Sequence, residues 1–242
     1  MGELHLDVLV ERLKREFNIL VKVGKPRVSY RETINETVEL EGKYIRQTGG
    51  RGQYGHVLVR VEPHPDQNFE FANKVIGGKI PKEYISPVRQ SLKENLDRGI
   101  IAGYPMVNIK ATLYDGSFHD VDSSEFSFKV AAALALRTIP QKTKVIILEP
   151  IMKVQITTPT EYCGVVISSM IQRRGQVIET NKNRDVIQFH APLGEMFGFS
   201  TNLRSITQGR GNYSMHFKGH EEAPSHISEK IIKESSFQPR SF

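Results

Sequence analysis

The stretch Gln47-Thr48-Gly49-Gly50-Arg51-Gly52-Gln53-Tyr54-Gly55 carries the most distinctive pattern of chemistry-bearing residues in the chain. Gly50, Gly52 and Gly55 satisfy the G-x-G-x-x-G spacing that brings backbone N–H groups up to a dinucleotide's pyrophosphate. That turn requires a following helix, because the helix N-terminus holds the anion. Here His56-Val57-Leu58-Val59-Arg60-Val61 alternates, which predicts a strand, so the dinucleotide reading fails on context. What remains is a mobile, glycine-rich hairpin tip with Arg51 at its centre. Its charges are Lys43, Arg46, Arg51 and Arg60, and no Asp or Glu lies between Gly42 and Val61. Glycine lets a backbone approach another surface and arginine pairs with phosphate, so the tip suits a nucleic-acid backbone. The plain alternative is a flexible hairpin with solvated charges.

A second stretch, Gly116-Ser117-Phe118-His119-Asp120-Val121-Asp122-Ser123-Ser124, gathers a histidine, acids and hydroxyls. A Ser-His-Asp triad draws its members from separate loops, so neighbours in sequence argue against a hydrolase built on His119 with Asp120 or Asp122. A metal there would need further ligands. A loop whose Asp122 or Ser123 caps the next helix is the simple reading, and contact of His119 with RNA is the other. Arg173-Arg174-Gly175 closes a predicted helix. Cations there complement the helix dipole, or form an RNA-facing basic edge. Cys163 is the single cysteine, which excludes an internal disulfide and a cysteine-clustered metal site. Packing is its expected role. No G-x-x-x-x-G-K-[ST] occurs, so this chain encodes no GTP or ATP hydrolase and binds no cofactor of its own.

These residues need elements to position them. Leu4, Val8, Leu9, Leu13 and Phe17 predict a helix over 2–16, followed by a strand over 18–23. A helix and a strand alone bury no core, so they read as the end of a domain that begins elsewhere. Residues 27–40 form a long, partly alternating stretch. Pro81 to Arg98 predicts a helix ended by Gly99, and Met106 to Leu113 a strand. Glu125 to Thr138 predicts a second helix, with Phe126, Val130, Ala133, Leu134 and Ile139 inward and Ser123 or Ser124 as cap. Beyond Pro150 the order is strand 151–157, helix 161–174, strands 176–180 and 186–191, helix 194–207 and strand 212–217. That β-α-β-β-α-β order is the split, ferredoxin-like pattern. Residues 225–234 suit a short helix before a fraying end.

The chain has 242 residues, 38% hydrophobic and 25% charged, which reads as an ordinary globular protein of two domains broken near Leu148-Glu149-Pro150. No apolar run approaches the roughly 18 residues a spanning helix needs, and no signal peptide opens the chain. A cytoplasmic home is expected. A net charge of +6 favours a polyanionic partner. The eight histidines are scattered, with no H-E-x-x-H pair for zinc.

Taken together, these stretches resemble the C-terminal part of bacterial elongation factor G. The matching residues are Met1-Gly2-Glu3-Leu4-His5-Leu6, Gly24-Lys25-Pro26, Tyr30-Arg31-Glu32-Thr33, Arg46 to His56 and Ala102-Gly103-Tyr104-Pro105. They continue with His119 to Glu125, Leu148 to Val154, Arg173-Arg174-Gly175, Glu195-Met196-Phe197-Gly198 and Leu203-Arg204-Ser205. Thr48 and Phe118 stand where the family pattern has serine and tyrosine. The resemblance implies an α+β chain of four parts: a remnant of ferredoxin-like domain III over 1–23, and domain IV of ribosomal-protein-like βαβ type over 24–147. A ferredoxin-like domain V over 148–224 and a helix or tail over 225–242 complete it. It also implies that the GTPase domain, with its GTP and magnesium, lies outside this chain, whose parent is a translational GTPase promoting translocation of tRNA and mRNA. Domain IV would reach the decoding-centre side of the small subunit with a tip of Gln47, Thr48, Gly49, Gly50, Arg51, Gly52, Gln53, Phe118, His119 and Asp120. Domain V would face the large-subunit stalk base and the sarcin-ricin loop RNA through Arg173 and Arg174. The expected molecule is a monomer without a membrane partner. Its alternatives are a free-standing fragment competing with the intact factor, or a relative of the ribosome-protection type.

Overall fold

The computed structural model describes residues 11–19, 27–47, 49–50, 52–181, 185–235 and 237. It divides into two compact units, one of Tyr30–Leu148 with Glu222–Phe242 and one of Met1–Ser29 with Glu149–Glu221. Residues 11–17 are helical, while most of the expected strand over 18–23 lies outside the described residues.

In the first unit the stretch expected to be continuous over 27–40 splits in two. β1 (Arg31–Ile34) pairs antiparallel with the start of β6 (Val145–Thr157), Arg31 opposite Leu148. β2 (Val38–Arg46) instead opens a separate sheet of order β2-β3-β5-β4, with β3 over Gln53–Pro63, β4 over Phe69–Asn73 and β5 over Ile109–Ser117. β2 and β3 form the anticipated hairpin, Val38 opposite Val61 and Arg46 opposite Gln53. β4 and β5 are parallel and therefore need a crossover, which α1 (Lys82–Arg98) supplies. Alternation along β3 puts Val57, Val59 and Val61 at 0% exposure, against Leu92 and Leu96 of α1 and Phe128, Ala131 and Ala135 of α2 (Glu125–Arg137).

Two expectations about these elements are corrected. The strand expected from Met106 begins at Ile109, because Asn108 sits at φ 60 and turns the chain first. Phe126, expected inward, is 56% exposed, and Phe128 is buried in its place. The Ser124 cap sets the helical phase, and the Phe128 ring then stacks on Tyr84 at 4.7 Å between centroids. The run of alanines in α2 follows from how closely it lies on the hairpin. A Cβ on Gly42 would fall 1.9 Å from the Ala131 carbonyl oxygen, and one on Gly55 would fall 2.4 Å from that of Ser127. Gly55 therefore serves helix–sheet packing at the base of the hairpin tip. A short α3 (Ile139–Lys142) follows α2.

β6 begins at Val145, not 151, and runs through Leu148-Glu149-Pro150 without a break. Pro150, which has no N–H to donate, sits between the residues paired with β1 (through Leu148) and those paired, from Ile151, with β8 (Val186–Pro192).

The second unit takes the rest of β6, α4 (Thr160–Gln172), β7 (Gln176–Asn181), β8 (Val186–Pro192), α5 (Phe199–Ile206) and β9 (Asn212–Glu222). Its strands lie in the order β9-β6-β8-β7, the split ferredoxin-like arrangement. Its core joins Val154, Ile156, Val166, Met170, Phe189, Phe199 and Leu203. The single helix expected over 194–207 is broken instead: a turn at Leu193–Glu195 precedes α5, with Gly198 at φ 74 between them. β9 runs five residues past the expected end at Phe217. The last helix, α6 (Ser225–Glu234), belongs to the first unit, where Ile231 packs with Ala102, Ile147 and Ala223. Among the described residues no helix is long and apolar enough to cross a membrane.

Candidate functional site

The β2–β3 turn and the loop between β5 and α2 meet at one end of the first unit. Asp122 joins them. Its carboxylate accepts the Gly52 N–H at 3.0 Å, and its carbonyl accepts the Tyr54 N–H at 2.9 Å. A Cβ on Gly52 would fall 2.9 Å from the Asp122 carboxyl carbon, so glycine is what lets the acid sit down on the hairpin. Ser123 continues the seam, donating from Oγ to the Tyr54 carbonyl at 3.0 Å and accepting the His119 N–H at 2.9 Å. Of the caps the sequence offered, Asp122, Ser123 and Ser124, the helix uses Ser124, whose Oγ accepts the Ser127 N–H at 3.2 Å. Asp122 is thus a clasp between loops.

The clasp displays a mixed surface. Gln47, Gly49 and Gly50 are exposed, and Gly49 takes φ 66 with open space around it. Gln53 is half-buried, its Oε1 accepting from the Tyr44 hydroxyl at 2.9 Å. Phe118 is 37% exposed, Val121 is 65%, the His119 side chain is 65%, and Asp120 is exposed beside them. Thr48 and Arg51 lie outside the described residues. Lys43 and Arg46 are exposed on β2. Arg60, counted with the tip cations on sequence, is instead committed to Glu39 at 2.8 Å and to the face of Tyr114 at 5.5 Å.

A triad is not formed. His119 Nδ1 stands 4.0 Å from the Asp122 carboxylate, beyond hydrogen-bond reach, and the Ser123 hydroxyl is spent on backbone. Among the described residues no group of His, Cys, Asp and Glu is placed to hold a metal.

Sequence reasoning missed a second polar chain behind the tip. Glu41 Oε1 lies 3.0 Å from His56 Nε2, His56 Nδ1 lies 2.9 Å from Ser117 Oγ, and Ser117 Oγ lies 2.7 Å from the Tyr54 hydroxyl. His56 and Ser117 are directly opposite in the β3–β5 ladder, on the face away from the helices. His56, Ser117 and Phe118 line a cavity of about 390 Å³ with Leu58, Lys79 and Asp115. Lys79 bonds the Asp115 carboxylate at 2.9 Å and, with the Gly116 N–H, holds it below the usual range. The signal lay in the strand alternation of 53–63, but only the ladder register brings Ser117 opposite His56.

In the second unit Arg173 and Arg174 turn their donors to partners nearby. Arg174 grips the buried Glu149 carboxylate with both terminal nitrogens and lies 3.9 Å from Glu195. Arg173 donates to the carbonyls of Glu195 and Phe197 and sits 5.5 Å over the Phe199 ring. Both guanidinium groups thus brace the unit locally. Burial pushes the Cys163 thiol up, as suits a packed residue.

Two family models divide the chain near residue 145. Residues 26–144 match the family model described as elongation factor G, domain IV, and residues 146–231 match the one described as elongation factor G C-terminus. Elongation factor G of Mycoplasma genitalium is 53% identical over 235 residues, which cover 96% of this chain and 34% of that protein. The chain therefore spans about a third of the length of this relative. A crystal structure of a protein from Thermus thermophilus superposes with a TM-score of 0.84 at 36% identity, covering 96% of this chain and 35% of that one.

Proposed function

The chain belongs to the elongation factor G family, and on that premise we propose that it is a ribosome-contacting arm used in translocation of tRNA and mRNA during protein synthesis. In this reading the clasped tip of residues 47–55 and 116–124 is the RNA-contacting end, on the decoding-centre side of the small subunit. The second unit faces large-subunit RNA. GTP and magnesium are handled by a part of the family's chain that carries a phosphate-binding loop, which this sequence does not contain.

The observation that carries the proposal is the Asp122 clasp. It spends the acid nearest the hairpin on the Gly52 amide, and so leaves an exposed glycine backbone, an imidazole and a phenyl ring facing outward. Exposed aromatic faces and an imidazole stack on unpaired bases, and glycine backbone lets a phosphate come close. Lys43 and Arg46 on the adjoining strand supply the positive charge.

His119→Ala tests the reading. In a full-length factor carrying this sequence it should slow single-turnover translocation strongly while GTP hydrolysis and the melting temperature stay near the parent's. A large loss of stability with no specific translocation defect would make His119 a packed loop residue. Arg51→Ala should lower the salt dependence of ribosome binding by roughly one unit of slope, the mark of one phosphate contact. An unchanged slope would return Arg51 to solvent.

A further inference from the structure

We infer that His56 is a positioning residue for the tip, holding the Tyr54 ring, and through it the His119 imidazole, by way of Ser117 and Glu41. The tyrosine is pinned at both ends. Its backbone is fixed by Asp122 and Ser123, with the N–H donating at 2.9 Å and the carbonyl accepting at 3.0 Å. Its hydroxyl is fixed by Ser117 at 2.7 Å. Between these ends the ring faces His119, 5.5 Å away between centroids at an interplanar angle of 58°. Among the described residues His119 is otherwise held through its backbone N–H and carbonyl, with the Asp122 carboxylate 4.0 Å from Nδ1, and the Tyr54 ring is the aromatic surface against which the imidazole packs.

With Glu41 ionised and the His56 ring neutral, the chain of hydrogen bonds runs in one sense. The carboxylate accepts from His56 Nε2–H, which leaves Nδ1 as an acceptor for the Ser117 hydroxyl. Ser117 then accepts from the Tyr54 hydroxyl. Ser117 Oγ both donates and accepts within the chain, and the histidine is the member that accepts from one strand and donates to another. Its side chain is 17% exposed, sheltered between β2 and β5, whereas Glu41 is 60% exposed. Lys43 stands opposite His56 in the β2–β3 ladder, and Lys79 and Asp115 complete the charged groups facing it. Glu41, Tyr54, His56 and Ser117 all lie outside the apolar core.

The inference rests on the reading of His119 as a contact residue, but its test does not. The ring protons of His119 in this chain should carry a ring-current shift from Tyr54, visible by NMR. His56→Ala, Ser117→Ala and Tyr54→Phe should each move those signals toward the values of free histidine, with the melting temperature close to the parent's. His56→Asn, which keeps a hydrogen-bonding atom near the Nδ1 position, should restore most of the shift. Glu39→Ala, on the same sheet face but paired to Arg60 outside the chain, should leave it in place. Tyr54→Phe removes one oxygen atom and keeps the ring, so it decides the matter even if His56→Ala fails to fold. His119 signals unchanged in folded Tyr54→Phe and Ser117→Ala would overturn the inference. Shifts as expected, combined with normal translocation for His119→Ala, would leave the positioning role standing and sink the ribosome reading instead.

Discussion

Single residues here do work that their types alone do not announce. Glu32 is fully buried, and its carboxylate accepts four backbone N–H groups, from Ile100, Ile101, Ala102 and Tyr104, at 2.6 to 3.2 Å. The amide dipoles of the 99–105 loop supply the counter-charge, and Gly99 at φ 81 lets the loop close around the acid. Glu32→Gln turns an acceptor into a donor against amides that still need acceptors. The loss of charge-assisted bonds should cost on the order of 3 kcal/mol in urea unfolding. A loss below about 1 kcal/mol would mean that the loop finds other partners. Asp122→Ala makes a smaller case, since its side chain is 32% exposed. It should cost about 1 kcal/mol and speed hydrogen exchange at the Gly52 amide, while protection in α2, capped by Ser124, persists. The sequence placed Glu32 and Tyr104 in stretches worth noting, and His119 and Gly52 in loops. It did not reveal that Glu32 meets Tyr104 or that Asp122 binds Gly52, because those bonds span about 70 residues that only the sheet register brings together.

At the scale of elements, periodicity was a good guide wherever one face is buried. Val57, Val59 and Val61 alternate and are all inside. It misled where apolar residues offer two phases, as at Phe126 and Phe128, because the cap and not the pattern decides which one turns in. Gly55 read as part of a flexible tip, yet it and Gly42 mark where α2 presses on the hairpin. Gly42→Ala would drive a methyl into the Ala131 carbonyl. It should destabilise the first unit by about 3 kcal/mol, at the upper end of ordinary overpacking costs, and a thermal melt within a degree of the parent's would refute the close approach. In the second unit β8 carries His190, whose pKa burial pushes below its ordinary value, with Lys218 adding to the effect. The unfolded chain then binds a proton more readily than the native one. The stabilising contribution is full above the unfolded value of roughly 6.5 and is lost as pH falls below it, toward the lower folded value. The second unit's melting temperature should accordingly drop between pH 7 and 5, and His190→Gln should flatten that slope. An equal slope in the variant would assign the effect to another group.

At the scale of the whole molecule, chain order and spatial grouping part company. The two units divide between Leu148 and Glu149, at the composition break, yet those residues lie within the single strand β6. The helix expected at the end of the chain is there, yet α6 serves the first unit although it follows the last strand of the second. Nothing in the amphipathic pattern of 225–234 says which core it covers. The structure does: Ile231 is 8% exposed and packs with Ala102, Ile147 and Ala223, with Tyr30, Tyr104 and Ile227 around them. The Ala223 N–H donates to the Ile147 carbonyl at 2.9 Å, and Ser235 Oγ donates to the Ala102 carbonyl at 2.8 Å. Beyond the helix, Phe237 lies over Gly103, where a Cβ would come within 2.9 Å of the ring. Deleting Ala223 to Phe242 removes one buried isoleucine, part of another and two hydrogen bonds, a loss of roughly 3–5 kcal/mol by side-chain burial and hydrogen-bond magnitudes. The loss should fall on the unit of Tyr30–Leu148, and within it on the loop that wraps Glu32, since Ala102 and Tyr104 belong to both. Hydrogen exchange followed by peptide should therefore show amides of 99–107 losing protection first, while those of α4 and β8 keep theirs. Loss of protection confined to 149–221 would place the helix with the ferredoxin-like unit and refute the grouping.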